Sequence, residues 1–294
     1  MSRPADYCDL GVNWQTGCEP GLPCWERCWA RKRALMLAGN FGYPADEPFR
    51  PTFHSDVFKR PLPKKPKVIA LNFMGDWALA LPDYLRVMLD KIADHPQHTF
   101  LTLTKRPEVL LGKLESAYPY NWPHELPGNL WLGTSAATQA ELDARLPALL
   151  DIPAAHYWLS LEPLLGPIDL AATLSLCSVE DDGSTPPWVN WVVVGCESGR
   201  GARWGRRGQC WPANGGGLVC DQACQPRVPC GVCEWEVNGW TRSLVAQCKA
   251  AGVPVWVKQL PVWKEDKWSV SDDMADFPAD LRFQERPPMK GEGS

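Results

Sequence analysis

The chain has no stretch of about twenty consecutive apolar residues, which excludes a membrane-spanning helix. Its opening, MSRPADYCDL, has no apolar core of the signal-peptide kind, so the expected compartment is the cytoplasm. Positive charge is not in excess: 30 Lys and Arg stand against 34 Asp and Glu, for a net charge of -4. That balance excludes a whole-surface electrostatic grip on nucleic acid and leaves room for a local basic groove. Histidine is scarce, and the five residues are scattered without metal-ligand spacing. No internal repeat is present, which excludes repeat architectures. Cysteine and tryptophan, by contrast, are plentiful. Twelve cysteines in a cytoplasmic chain point to metal or redox chemistry rather than to a disulfide framework. The sixteen tryptophans offer stacking platforms, although core packing is the commoner use of the residue. A length of 294 residues suits one large α/β domain or two ordinary ones.

The most informative segment is GCEPGLPCWERCWARKRALMLAG, which places Cys18, Cys24 and Cys28 just ahead of a helical stretch. Three thiolates are one short of the four that close a structural zinc site or an ordinary iron–sulfur cluster. Such a set leaves one metal position open to a small molecule. The bland alternative is a zinc knuckle completed by Cys8 or His54.

Short apolar runs at 68–74, 99–104, 129–135, 156–161, 191–195 and 253–258 read as buried parallel strands, with a further strand at 9–14. Helical spacing predicts helices over 82–93, 106–115, 138–150 and 236–251 between them. The third opens on a capping box, Thr138 with Glu141. The alternation predicts an α/β fold, a partial or full TIM-like (β/α) barrel of parallel strands with a Cys-rich insertion. The expected organisation is one barrel domain over 1–271, carrying the insertion at 199–234, and a loosely ordered tail over 272–294. A surface loop is expected at 176–187.

Polar residues follow the strands. Gly75-Asp76, Lys105-Arg106, Ser135, Glu162 and Glu197 stand at five strand ends, and Lys258 at a sixth. Chemistry in such barrels sits at the strand C-terminal ends, so these residues read as a ring around a common cavity. Taken singly, Lys105-Arg106 is also a plausible solvated helix start and Glu162 an ordinary strand-end cap. Cys196, Cys177 and Cys248 read as small buried residues. The insertion holds Cys220-x3-Cys224-x5-Cys230-x2-Cys233, a compact four-thiolate set suited to zinc or to an auxiliary iron–sulfur cluster, with Cys210 as a substitute ligand or free thiol. Arg200, Arg203, Arg206, Arg207 and Arg227, with Trp204 and Trp211, suggest a phosphate-facing, base-stacking surface beside it.

With these stretches read together (NWQTGCEPGLPCWERCWA, FMGD, LTLTKRPE, LWLGTS, WLSLEPLLGPI, WVVVGCESGRGAR, QCKAAGVPVWVKQ), the chain resembles radical S-adenosylmethionine enzymes. Within them it is most similar to a family of phage and prophage proteins. The cysteine gaps here are five and three residues, against three and two in most such enzymes. The resemblance implies that Cys18, Cys24 and Cys28 ligate a [4Fe-4S] cluster and that S-adenosylmethionine takes the fourth iron. It also implies that Gly75 and Asp76 lie near the methionyl amino group, and that Ser135, Glu162 and Glu197 contact ribose or substrate. Lys105 and Lys258 would meet a carboxylate or phosphate. Trp25 and Trp29 would shield the cluster from water. Lys105, Glu162, Glu197 and Lys258 are the candidate catalytic set. The implied function is modification of a nucleic-acid base, with isomerisation of an amino-acid-modified thymine in phage DNA as the leading reaction. DNA or a modified nucleotide is the implied partner, and a flavodoxin or ferredoxin the implied reductant. Two other readings stand beside it: a base-damage repair lyase of the spore photoproduct type, and a non-catalytic zinc-bound nucleic-acid adaptor.

Overall fold

The computed structural model describes residues 6–119, 125–170, 189–199, 201–205, 207–210, 218–219, 233–264 and 267–289. In chain order the strands are β1 (Leu10–Val12), β2 (Gln15–Thr16), β3 (Thr52–Phe53), β4 (Val68–Leu71), β5 (Thr99–Thr104), β6 (Leu130–Ser135), β7 (His156–Leu161), β8 (Trp191–Gly195), β9 (Arg207–Cys210), β10 (Leu218–Val219), β11 (Cys233–Trp235), β12 (Val255–Lys264) and β13 (Lys267–Ser271). The helices are α1 (Trp29–Met36), α2 (Ser55–Phe58), α3 (Pro82–Ala93), α4 (Pro107–Ala117), α5 (Gln139–Leu150) and α6 (Glu236–Ala250).

The principal sheet has eight strands in the order β1-β4-β5-β6-β7-β8-β12-β13. It is mostly parallel, and its last pair, β12 with β13, is antiparallel. Strands at 99–104, 156–161 and 191–195 fall where apolar runs predict them, because each run is buried along its length. The order follows the chain without reversing. Among the described residues no pairing joins β13 to β1, and a closed barrel is not shown. The hairpin β12–β13 is the unforeseen element: β12 runs six residues past the predicted end at Lys258 and turns back on itself.

By contacts the chain divides into two compact units, Met1–Thr134 with Ala144–Trp158 and Pro288–Ser294, and Ser135–Asp143 with Leu159–Pro287. In the first unit, α3 buries Leu85, Met88, Leu89 and Ile92, one apolar stripe at helical spacing, and packs on α4, which buries Leu110, Leu114 and Ala117. Both helices begin with Pro at the first position, where the missing N–H is not needed. Gly133 in β6 makes room for Trp158, since a Cβ there would lie 2.6 Å from the Trp158 Nε1. That indole donates to the carbonyls of Thr102 (3.1 Å) and Trp131 (3.2 Å).

In the second unit, α6 buries Val237, Leu244, Val245 and Cys248 and contacts β12. Residues 272–287, in the first part of the expected tail, make defined contacts. Phe277 and Leu281 are buried, and backbone bonds run from Val257 N to Phe283 O (2.7 Å) and from Glu285 N to Val255 O (3.0 Å). Two apolar anchors and a free backbone edge outweigh the polar, Pro-rich composition that suggested disorder. Part of the Cys-rich insertion forms a small sheet, β10-β9-β11. The predicted loop at 176–187 lies outside the described residues.

Candidate functional site

The cysteine loop is pinned to the end of β4 by a close backbone approach. Beyond β4 the chain turns at Asn72, in the left-handed region (φ 62), and Gly75 comes against Gly17. Gly17 N donates to Met74 O (3.0 Å), and Asp76 N donates to Gly17 O (3.0 Å). A Cβ on Gly75 would lie 2.6 Å from Gly17 O, and Gly17 itself has φ 95, so both positions require glycine. Cys18 follows directly, its N–H donating to Phe49 O (2.8 Å).

Asp76 is buried, and the chain's own donors occupy its carboxylate. Oδ1 accepts from Thr104 Oγ1 (2.7 Å) and Ala78 N (3.2 Å). Oδ2 accepts from Lys105 N (3.1 Å) and Arg106 Nη1 (3.1 Å). Four donors fill the capacity of a carboxylate, so Asp76 acts here as an anchor, a use the sequence reading did not anticipate. Arg106 is the centre of the arrangement. The same Nη1 donates to Cys18 Sγ (3.2 Å), and Nη2 donates to Glu19 O (3.0 Å). Burial pushes the Cys18 thiol up; the Arg106 hydrogen bond opposes that, and the negative charge of Asp76 adds to it.

Cys24 stands at the start of a short 3-10 turn over Trp25–Arg27, and Cys28 caps α1, its Sγ accepting from Arg31 N (3.5 Å). All three thiols are free and partly exposed. Cys18, Cys28 and Trp25 pack on one small cluster of Ala30, Ala34, Tyr43, Phe49 and Met74. Trp25 lies against Phe49 with the Arg31 guanidinium over its ring, whereas Trp29 is exposed. Among the described residues no three His, Cys, Asp or Glu side chains are gathered closely enough to hold a metal ion. The donor set thus suits a thiolate-bound iron–sulfur cluster in kind, without being drawn together as a finished ligand cage. The zinc-knuckle alternative gains no such set either: Cys8 is buried, and His54 Nε2 is hydrogen-bonded to Thr16 Oγ1 at 2.7 Å.

The cation meeting this site is Arg106, not Lys105, which contributes only its backbone amide. Arg106 lies just past the end of β5, as the residue before the helix that begins at Pro107, and its N–H donates to Thr104 Oγ1 (3.0 Å), which in turn donates to Asp76.

The remaining strand-end residues belong to the second unit. Lys258 Nζ donates to Glu162 Oε2 at 2.6 Å. Ser135 Oγ donates to Glu162 O at 3.2 Å. Gly195 borders the pair: a Cβ there would lie 3.3 Å from Glu162 Oε2. Gln259, next to Lys258 at the same strand end, donates through Nε2 to Cys196 O (2.6 Å). Glu197 is held by Arg203, whose Nε and Nη2 donate to Oε2 (3.0 Å) and Oε1 (2.9 Å). Arg203 is thus paired with a carboxylate while its side chain stays half exposed. Cys196 and Cys248 are buried as expected, and burial pushes both thiols up to about 12.

Of the second cysteine group, Cys220, Cys224 and Cys230 lie outside the described residues, as do Arg200, Arg206, Arg227, Trp211 and Cys177. For Cys233 the backbone is described, and its register in β11 places it opposite Cys210 of β9.

These features define an α/β protein with a mostly parallel sheet, whose strand ends carry a buried Arg–Asp pair beside a free-thiol loop and, in the second unit, a Lys–Glu pair. Residues 3–213, more than half of the chain, match the model of the family described as "Protein of unknown function (DUF5131)", and the chain belongs to that family. No curated protein and no solved structure matches it. No helix among the described residues is long and apolar enough to cross a membrane.

Proposed function

We propose that this protein is a radical S-adenosylmethionine enzyme of partial-barrel architecture that acts in the cytoplasm on a nucleic-acid base, with isomerisation of an amino-acid-modified thymine in phage DNA as its reaction. The observation that carries the reading is Arg106, which joins the free Cys18 thiol to the strand-end carboxylate of Asp76. Cys18, Cys24 and Cys28 are the residues to hold a [4Fe-4S] cluster with S-adenosylmethionine beside it. Bound there, that pair supplies reductive cleavage of a sulfonium and hydrogen-atom abstraction from carbon.

The chain's own residues set the stage. Arg106 places a fixed positive charge at Cys18, which favours the thiolate form needed by a ligand and anchors the loop through Glu19 O. Asp76 holds that guanidinium in place. In the second unit, Lys258 offers an ammonium for a substrate carboxylate or phosphate, and Glu162 orients it.

Anaerobic reconstitution with iron and sulfide tests the proposal. About four irons per chain at the first site, and release of 5′-deoxyadenosine with dithionite and S-adenosylmethionine, are the expected results. Cys24→Ala is expected to abolish that release, and unchanged release overturns the ligand assignment. Zinc without iron favours the adaptor reading instead. Mass spectrometry of nucleosides from treated phage DNA then identifies the altered base and separates isomerisation from lyase repair.

A further inference from the structure

A cavity of about 570 Å³ opens in the first unit beside β1, within the size range of small-molecule sites. Its walls are apolar and aromatic, with Val12, Trp14, Phe41, Tyr43, Val57 and Leu62 among them. The polar end is closed by Thr16 and His54, already bonded to each other at 2.7 Å. Gly42 lets the His54 ring seat there, since a Cβ would lie 2.7 Å from its Nδ1. Burial pushes His54 down, so this end is uncharged at neutral pH.

Three features mark a built site rather than a packing gap. Phe41 is 83% exposed, and its backbone sits in the left-handed region with φ 54. An L-residue with a bulky side chain adopts that conformation at a cost, here presenting an aromatic ring to solvent at the cavity. Arg60 is exposed at the cavity, and its guanidinium has no partner among the described residues. None of the lining residues is acidic. Trp14, finally, is fully buried, yet its Nε1 has no hydrogen-bond partner.

From these we infer that the cavity is a binding site for a small flat aromatic molecule bearing one anionic group, its ring among Trp14, Phe41 and Tyr43 and its carboxylate or phosphate on Arg60. The site goes beyond the proposed reaction and needs no cluster, so its failure leaves that reading untouched. Thr16 ties it to the cysteine loop through Gly17 alone, so an occupant is expected to be felt at Cys18.

Isothermal titration of the full chain with indole-3-acetate, thymidine 5′-monophosphate and neutral indole tests the inference. Saturable one-to-one binding is expected for at least one anionic probe, and the two arms distinguish carboxylate from phosphate. Arg60→Gln should weaken that probe about three- to tenfold and leave indole unchanged. Val57→Trp, which fills the cavity, should abolish binding of every probe. Phe41→Ala, at an exposed position, supplies a second variant if Val57→Trp fails to fold, and should weaken all three. Absence of binding by both anionic probes, or binding unchanged by Arg60→Gln or surviving the cavity-side variants, overturns the inference.

Discussion

Arg106→Ala isolates the interaction on which the candidate site depends. The guanidinium is 12% exposed and its partner carboxylate 6%, so the pair is shielded from solvent. Breaking a buried ion pair by removing one partner costs about 3–5 kcal/mol, because the other charge is left uncompensated. Asp76 keeps three further donors, from Thr104, Ala78 and Lys105, which lowers the expected loss to about 2–3 kcal/mol. With a urea slope of about 2.5 kcal/mol per molar, that loss moves the unfolding midpoint down by about 1 M. Urea titration followed by circular dichroism reads it. Arg106→Lys keeps a charge near Asp76 but loses the fork that also reaches Glu19 O, so its midpoint should fall between the two. A double-mutant cycle with Asp76→Asn should return a coupling above about 1 kcal/mol. A midpoint for Arg106→Ala within about 0.2 M of wild type, the scatter of an ordinary surface substitution, refutes the reasoning.

Two further predictions rest on packing and on buried thiols. Gly133→Ala pushes a methyl into the Trp158 indole at 2.6 Å, and should destabilise by about 1–3 kcal/mol. Gly112→Ala, in the interior of α4 with nothing within 4 Å, should stabilise by about 0.5–1 kcal/mol; equal effects of the two in thermal denaturation would contradict the packing account. Cys196 and Cys248 have ordinary values of 9.0 and are pushed up to about 12, so above pH 9 the unfolded chain releases these protons first. Stability is then present in full below pH 9 and falls as pH climbs toward 12, by up to about 1.4 kcal/mol per pH unit for each thiol. Unfolding measured between pH 9 and 10 should lose part of that slope in Cys196→Ala and in Cys248→Ala, and an unaltered slope in both counts against it.

The central parallel strands were legible because they are short apolar runs buried on both faces, whereas the edge strand β1 is only half-buried. Helices α3 to α6 were legible for the same reason, through spacing and through Pro82, Pro107 and the Thr138–Glu141 box. The β12–β13 hairpin was not, since Lys258-Gln259 and Pro261 interrupt the apolar run in VWVKQLPVWK and read as its end. Nor was the burial of Phe277 and Leu281, because these two residues are isolated in a polar stretch and gain stability only against a surface formed elsewhere in the chain.

Local pattern alone thus determined the α/β class, the strand ends at which charged residues gather, and the cysteine loop as the chemical centre of interest. Tertiary structure decided which of those residues meet. It chose Arg106 over Lys105 as the partner of Cys18, filled the Asp76 carboxylate with four internal donors, and bound Glu197 to Arg203. The reason is physical: apolar periodicity is written within a dozen residues, whereas an ion pair between positions 76 and 106 exists only after two strands have been laid side by side and a glycine pair has let the loop approach.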